Sequence, residues 1–144
     1  MNDANEQKVI ESVWWTLRIS FGLLPLLAGL DKFLNLLVYW PKYIAPIFAT
    51  MMPLTAPHFM HLVGVIEIVA GVGLLFTAWS KVFALVVAGW LTCIAINLIA
   101  GKFFDIAVRD LALAVTAVSL ARLTDVVRVV SGAKNRLRTA PATT

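Results

Sequence analysis

The feature that most constrains this chain is a set of four apolar runs, each about as long as a membrane-spanning helix. They occupy residues 13–38, 59–79, 82–100 and 105–123. About 20 apolar residues cross the hydrocarbon core of a bilayer as a helix. Only 14% of the 144 residues are charged, whereas a soluble domain carries about 25%. We therefore predict an all-α fold, a transmembrane four-helix bundle over residues 13–123.

The basic residues indicate how this bundle is oriented. The outer connections contain only Lys42 and Lys102, with Arg109 nearby. The last run has Arg122 near its end and is followed by a cluster of basic residues: Arg128, Lys134, Arg136 and Arg138. Cytoplasmic flanks of membrane helices collect lysine and arginine. We therefore predict that both termini are cytoplasmic, with residues 1–12 as an N-terminal segment and 124–144 as a basic tail. The net charge of +4 follows from this topology, so we expect a lipid bilayer and no nucleic acid as partner.

The connection over residues 39–58 is predicted to be external and differs from the other two. It is long, contains four prolines and remains apolar. One interpretation is a loop that lies on the bilayer surface. The other is a lid over a cavity. The apolar residues at helical spacing within the connection fit either a short interfacial helix or a re-entrant cover.

Histidine and cysteine provide no clear motif for a cofactor. Cys93 is the only cysteine, so the chain cannot form an internal disulfide or a CxxC centre. His58 and His61 are three residues apart, which would suit interfacial side chains, a hydrogen-bond donor to a quinone, or a metal site. Since spacing fixes no third ligand, we predict no metal site and retain quinone as the ligand hypothesis.

Strongly polar residues inside the apolar runs form the candidate site, because most of them fall in the predicted outer half of the bundle. Isolated charges there cost several kcal/mol, so these side chains are expected to form a network or to bind a ligand. We expect Lys32 to join Glu67 and Asp110, Asp31 to offset Lys32 or face Arg109, and Asp105 to pair with Arg109. The candidate residues for ligand binding or a polar network are Asp31, Lys32, His61, Glu67, Asn97, Arg109 and Asp110.

Three stretches resemble the DoxX-like family of small four-helix membrane proteins. They are "FGLLPLLAGLDKF", "GVIEIVAGVGLLF" and "RDLALAVTAVSLA", and the resemblance covers roughly residues 14–123. It implies that Lys32, Glu67, Arg109 and Asp110 are the family-type polar positions. It also implies relatives such as the small subunit of an archaeal thiosulfate:quinone oxidoreductase and a mycobacterial membrane protein that links redox enzymes.

These observations leave three functional hypotheses. The first is a non-catalytic membrane subunit or anchor of a respiratory or redox complex, with a quinone or small-molecule pocket in the outer half of the bundle. The second is a quinone-reducing enzyme component of the thiosulfate:quinone oxidoreductase type. The third is a small proton-coupled transporter using Glu67. We assign no catalytic residue, and we expect a multi-pass protein of a bacterial inner (plasma) membrane that binds other subunits or further copies of itself.

Overall fold

The computed structural model describes the backbone of residues 3–139 and the side chains of residues 5–132. Within this range the chain is all-helical, as predicted. The helices are α1 (Asp3–Leu34), a 3-10 turn (Trp40–Tyr43), α2 (Pro46–Met51), α3 (Ala56–Phe76), α4 (Ser80–Ala100) and α5 (Phe104–Thr139). Three of them, α1, α3 and α4, are long and apolar enough to cross a membrane.

The four long helices pack as two tight pairs, α1 with α3 and α4 with α5, which are joined by smaller contacts. Large side chains from α1, α3 and α5 fill the space between the pairs, including Phe21, Leu74 and Leu120. The Trp14 indole N–H also donates to the Thr124 hydroxyl at 2.9 Å and thereby connects α1 to α5. The result is a helical membrane bundle, as predicted, although only three of the four predicted spans, as the structure describes them, are long and apolar enough by themselves to cross a membrane.

Glycines bring α1 and α3 into backbone contact. Gly22 faces Gly71 and Gly29 faces Gly64, so in each helix the two glycines are seven residues apart. A Cβ on Gly64 would lie 2.8 Å from the Gly29 carbonyl oxygen, and one on Gly71 would lie 2.6 Å from the Gly22 carbonyl oxygen. Small residues at such a contact let two membrane helices approach closely. The two helices are antiparallel, and this contact sets their spacing.

Helix α1 ends at Leu34, four residues before the end of the apolar run at residue 38. The next residue, Asn35, has φ 50°, the left-handed conformation that commonly ends a helix and that asparagine tolerates. The Asp31 carboxylate then accepts the backbone N–H groups of Leu36 and Leu37 at 2.9 Å each. A side chain that satisfies these donors stops the helix although the sequence remains apolar.

The first and last helices are longer than the apolar runs that predicted them. Helix α1 begins at Asp3 and α5 continues to Thr139. The prediction was shorter because hydropathy marks the part of a helix that crosses the membrane and not the residues at which the helix ends. At the end of the bundle that is predicted to be cytoplasmic, called the inner end here, Lys81 pairs with Asp125 at 2.7 Å, and Arg128 donates to the carbonyl of Ala78 at 2.6 Å. The side chains of the predicted tail residues Lys134, Arg136 and Arg138 are outside the described range. Residues 140–144 are outside it entirely.

Candidate functional site

The centre of the site is an ion pair between α1 and α3. Lys32 Nζ lies 2.5 Å from Glu67 Oε2, and both residues are 4% exposed. Lys32 is three residues after Gly29 and Glu67 is three residues after Gly64, so each lies on the glycine face of its helix. Because the helices are antiparallel, Lys32 and Glu67 lie on either side of the Gly29–Gly64 contact, and side chains on a helix tilt toward its N-terminus, so the two extend toward each other and their charges meet. Each charge then compensates the burial of the other.

Two tryptophans contact this pair from different sides. The Trp40 ring covers the ammonium, with Lys32 Nζ 3.8 Å from the ring centroid. The Trp90 indole N–H from α4 donates to Glu67 Oε1 at 3.4 Å. Sequence reasoning overlooked Trp90. The available signal was that a tryptophan in a packed helix usually requires a partner for its N–H.

The Asp31 carboxylate bonds to the connection after α1 and not to Lys32 or Glu67. Besides ending α1, its carboxylate accepts the Trp40 indole N–H at 2.7 Å through Oδ2. The expected contact across the bundle with Arg109 is absent from the contacts of the described residues, because Arg109 bonds to Asp110. Asp31 therefore positions Trp40, and through Trp40 it acts on the buried pair.

Asn97 fastens the other end of the same connection to α4. Its amide nitrogen donates to the Tyr43 carbonyl at 2.7 Å, and its amide oxygen accepts the Ala45 N–H at 3.0 Å. Ile44 and Ala45 are buried between these bonds and the bundle. The first part of the 39–58 connection thus packs onto the helices, whereas in α2 residues such as Ile47 and Met51 are largely exposed.

Arg109 and Asp110 form a second pair on α5. The Arg109 guanidinium contacts Asp110 Oδ1 at 3.0 Å, and the Arg109 side chain is 66% exposed while that of Asp110 is 7% exposed. The expected pairing of Arg109 with Asp105 is therefore wrong, since the buried carboxylate needs the cation more than the exposed one does. Among the described residues no hydrogen bond or ion pair joins Asp110 to Lys32 or Glu67, so the expected network of three is divided into two pairs.

Comparison with known families identifies the family of this chain. A family model described as DoxX matches residues 13–101, which is more than half of the chain and includes both Lys32 and Glu67. The chain belongs to the DoxX family. The match ends before α5, so Arg109 and Asp110 lie outside it. No curated protein and no solved structure matches the chain. DoxX proteins are generally small membrane proteins, in agreement with the helices described above.

The histidines of this DoxX chain lie at the outer end of α3, beside the ion pair and not in it. The His61 ring stacks on Phe33 with centroids 4.9 Å apart, and His58 shares a 2.5 Å hydrogen bond with the Thr55 hydroxyl. Among the described residues no group of three His, Cys, Asp or Glu side chains is arranged to hold a metal ion. His61 therefore borders the site as an aromatic neighbour.

At the inner end of the DoxX bundle, Arg18 has a role that the sequence reasoning did not assign. Its guanidinium donates to the carbonyls of Leu74, Leu75 and Thr77 at 2.8, 3.1 and 2.7 Å. These are carbonyls that the end of α3 leaves without helical partners, and a cation there also interacts favourably with the helix dipole. Arg18 therefore fixes the inner end of α3 against α1, and Lys32 fixes the outer half.

Proposed function

We propose that this DoxX protein is a non-catalytic membrane subunit or anchor of a larger redox complex in a bacterial plasma membrane. We propose further that the polar centre in its outer half receives the headgroup of a quinone. The observation that carries this proposal is the buried Lys32–Glu67 pair, held between the indole groups of Trp40 and Trp90. Ionisable residues inside membrane bundles commonly mark a ligand or proton path.

The chemistry of the centre suits a planar ring that carries carbonyl groups. The Lys32 ammonium has three N–H donors; the Glu67 carboxylate accepts one and the Ala28 carbonyl accepts a second over a long 3.5 Å, which leaves one for a ligand. The Trp90 N–H makes a long bond of 3.4 Å to Glu67 and is a second donor within reach. Quinone carbonyls accept hydrogen bonds, and the face of Trp40 offers a flat apolar surface on which a ring can stack.

Two features support a role as a subunit. One is membership of the DoxX family, because the relatives that the resemblance implies work within assemblies of redox enzymes. The other is the length of α1 and α5, which start at Asp3 and end at Thr139. Both extend past the turn between α3 and α4 that contains Ala78. They present helical surface beyond the inner end of the bundle, where a partner protein can bind.

The test is purification of the tagged protein from its native membrane in mild detergent, followed by mass spectrometry of proteins and extracted quinones. We expect an oxidoreductase subunit and a quinone to co-purify. Glu67→Gln should lose the quinone and retain the protein partner. Val69→Ala is the matched control, because Val69 lies two residues away on the exposed face of α3, and it should retain both. A homo-oligomer without quinone would refute the proposal.

A small proton-coupled transporter is the second candidate, because Glu67 is a buried carboxylate inside a membrane helix. Reconstituted vesicles distinguish the two functions. Solute uptake driven by a proton gradient and abolished in Glu67→Gln would favour transport. Quinone reduction by the purified chain with a sulfur donor would instead favour the enzyme component.

A further inference from the structure

The segment between α1 and α2, residues 35–45, crosses the outer side of the Lys32–Glu67 pair and is called the strap here. Side chains of the bundle hold it at two places. Asp31 on α1 accepts two backbone N–H groups at its beginning. Asn97 on α4 bonds to the backbone of Tyr43 and Ala45 at its end. Between these anchors lies Trp40, the residue that covers the Lys32 ammonium.

The two anchors differ in what supports them. At the Asn97 end the strap is packed: Ala45 is 0% exposed, Ile44 is buried, and the Tyr43 ring meets the Phe103 ring edge-on at 5.1 Å. At the Asp31 end Leu36 and Leu37 are 79% and 74% exposed. That end is therefore held to the bundle by hydrogen bonds to one carboxylate and by the Trp40 ring, with little packing of its leucines against other helices.

We propose that the strap is a hinged cover of the buried pair, with its hinge at Asn97 and its releasable end at Asp31. Releasing the Asp31 carboxylate frees the beginning of the strap and the Trp40 indole together, since the same side chain holds both. Trp40 then moves off Lys32 and exposes the ammonium and Glu67. This step rests on the proposed function for its ligand, an apolar molecule with carbonyl acceptors that enters beneath Trp40.

The proposal assigns Asp31 and Asn97 as positioning residues that do not contact the ligand. Asp31 lies outside the ion pair and all its bonds go to the strap. Asn97 likewise uses both its amide nitrogen and its amide oxygen in hydrogen bonds to the strap backbone. Trp40 is the strap residue that meets the ligand, because its ring already occupies the space above the Lys32 ammonium.

Hydrogen–deuterium exchange of the full chain in lipid nanodiscs tests the cover without any ligand. Asp31→Asn should speed exchange over residues 36–40 by about tenfold, because a neutral amide oxygen accepts the N–H groups of Leu36 and Leu37 more weakly than a carboxylate does. Residues 43–45 should stay at the wild-type rate. Asn97→Ala removes the bonds that form the hinge, so it should speed exchange at residues 43–45 in addition to residues 36–40. Trp40→Phe keeps an aromatic ring but replaces the indole by a smaller phenyl group without the N–H donor to Asp31, and it should also speed exchange over residues 36–40.

Two results would overturn the cover. One is unchanged exchange over residues 36–40 in both Asp31→Asn and Trp40→Phe. The other is an equal increase over residues 36–40 and 43–45 in these variants, which would mean that the strap unfolds as a whole and has no hinge. If Asp31→Asn does not fold, Trp40→Phe still decides between these outcomes.

A second arm separates the cover from the proposed function. A short-chain benzoquinone added to the wild-type protein should slow exchange over residues 36–40, because a bound ring lies under Trp40. If the variants show a hinge but the quinone changes nothing, the quinone proposal fails and the cover stands. If the quinone slows exchange in the wild type but the variants show no hinge, the cover fails and the quinone site stands.

Discussion

Removing either charge of the Lys32–Glu67 pair should destabilise the bundle by more than any exposed ion pair could. Both residues are 4% exposed, so Lys32→Met leaves the Glu67 carboxylate without its cation, and Glu67→Gln leaves the ammonium without its anion. Breaking a buried pair by removing one partner costs about 3–5 kcal/mol. Lys32→Met should be the costlier change, because it also removes the cation–π contact with Trp40, worth about 2 kcal/mol when desolvated.

The double variant Lys32→Met/Glu67→Gln completes the cycle and should recover part of the loss, since neither charge then remains unpaired. Contacting residues show coupling free energies of about 0.5–3 kcal/mol in such cycles. The free energy of unfolding can be measured in mixed micelles by titration with SDS, followed by far-UV circular dichroism. Additive losses, with no coupling beyond experimental error, would refute the buried pair as a stabilising unit.

Lys81 and Asp125 provide the matched control. They pair at 2.7 Å, close to the 2.5 Å of the buried pair, but their side chains are 43% and 49% exposed. Exposed pairs contribute about 0–1 kcal/mol, so the cycle of Lys81→Met with Asp125→Asn should show coupling below about 1 kcal/mol. Equal coupling in the two cycles would mean that burial does not determine the strength of either pair.

Two further predictions concern packing and topology. Gly64→Ala should lower the free energy of unfolding by about 1–3 kcal/mol, because its Cβ would lie 2.8 Å from the Gly29 carbonyl oxygen. In the control Gly89→Ala the new Cβ meets nothing within 4 Å, so the free energy of unfolding should rise by up to about 1 kcal/mol. Equal effects in the same SDS titration would argue against the glycine contact. Reporter fusions after residues 80 and 144 should read cytoplasmic and one within residues 44–56 external, and a cytoplasmic signal from 44–56 would reverse the predicted orientation.

The sequence predicted the bundle and the contact of Lys32 with Glu67, because hydropathy marks the helices and charges inside a membrane bundle require partners. It did not predict the partner of Asp31. Adjacent residues on a helix point about 100° apart, so when Lys32 faces α3, Asp31 points elsewhere. Its partners are backbone N–H groups, whose positions depend on where the helix ends.

Trp90 and Arg109 illustrate two other limits of the sequence reasoning. The partner of Trp90 is on another helix, and periodicity within one helix gives no information about rotation relative to its neighbours. For Arg109, the i,i+4 rule favoured Asp105, but that rule describes isolated helices. In the bundle the more buried carboxylate of Asp110 is the partner. Burial, which the sequence shows only indirectly, decided between the two acids.

The seven-residue glycine spacing in α1 and α3 leaves the alignment of the two helices ambiguous. If α1 slipped by seven residues along α3, Gly22 would meet Gly64 and the backbones could still touch. The slipped helices would, however, leave Lys32 opposite apolar residues and separate Arg18 from the end of α3. Glycine thus determines how near the helices come, and the two cations select one of the possible alignments. A chain that retained its glycines but lost both cations would be expected to form a compact bundle with a mixed helix register.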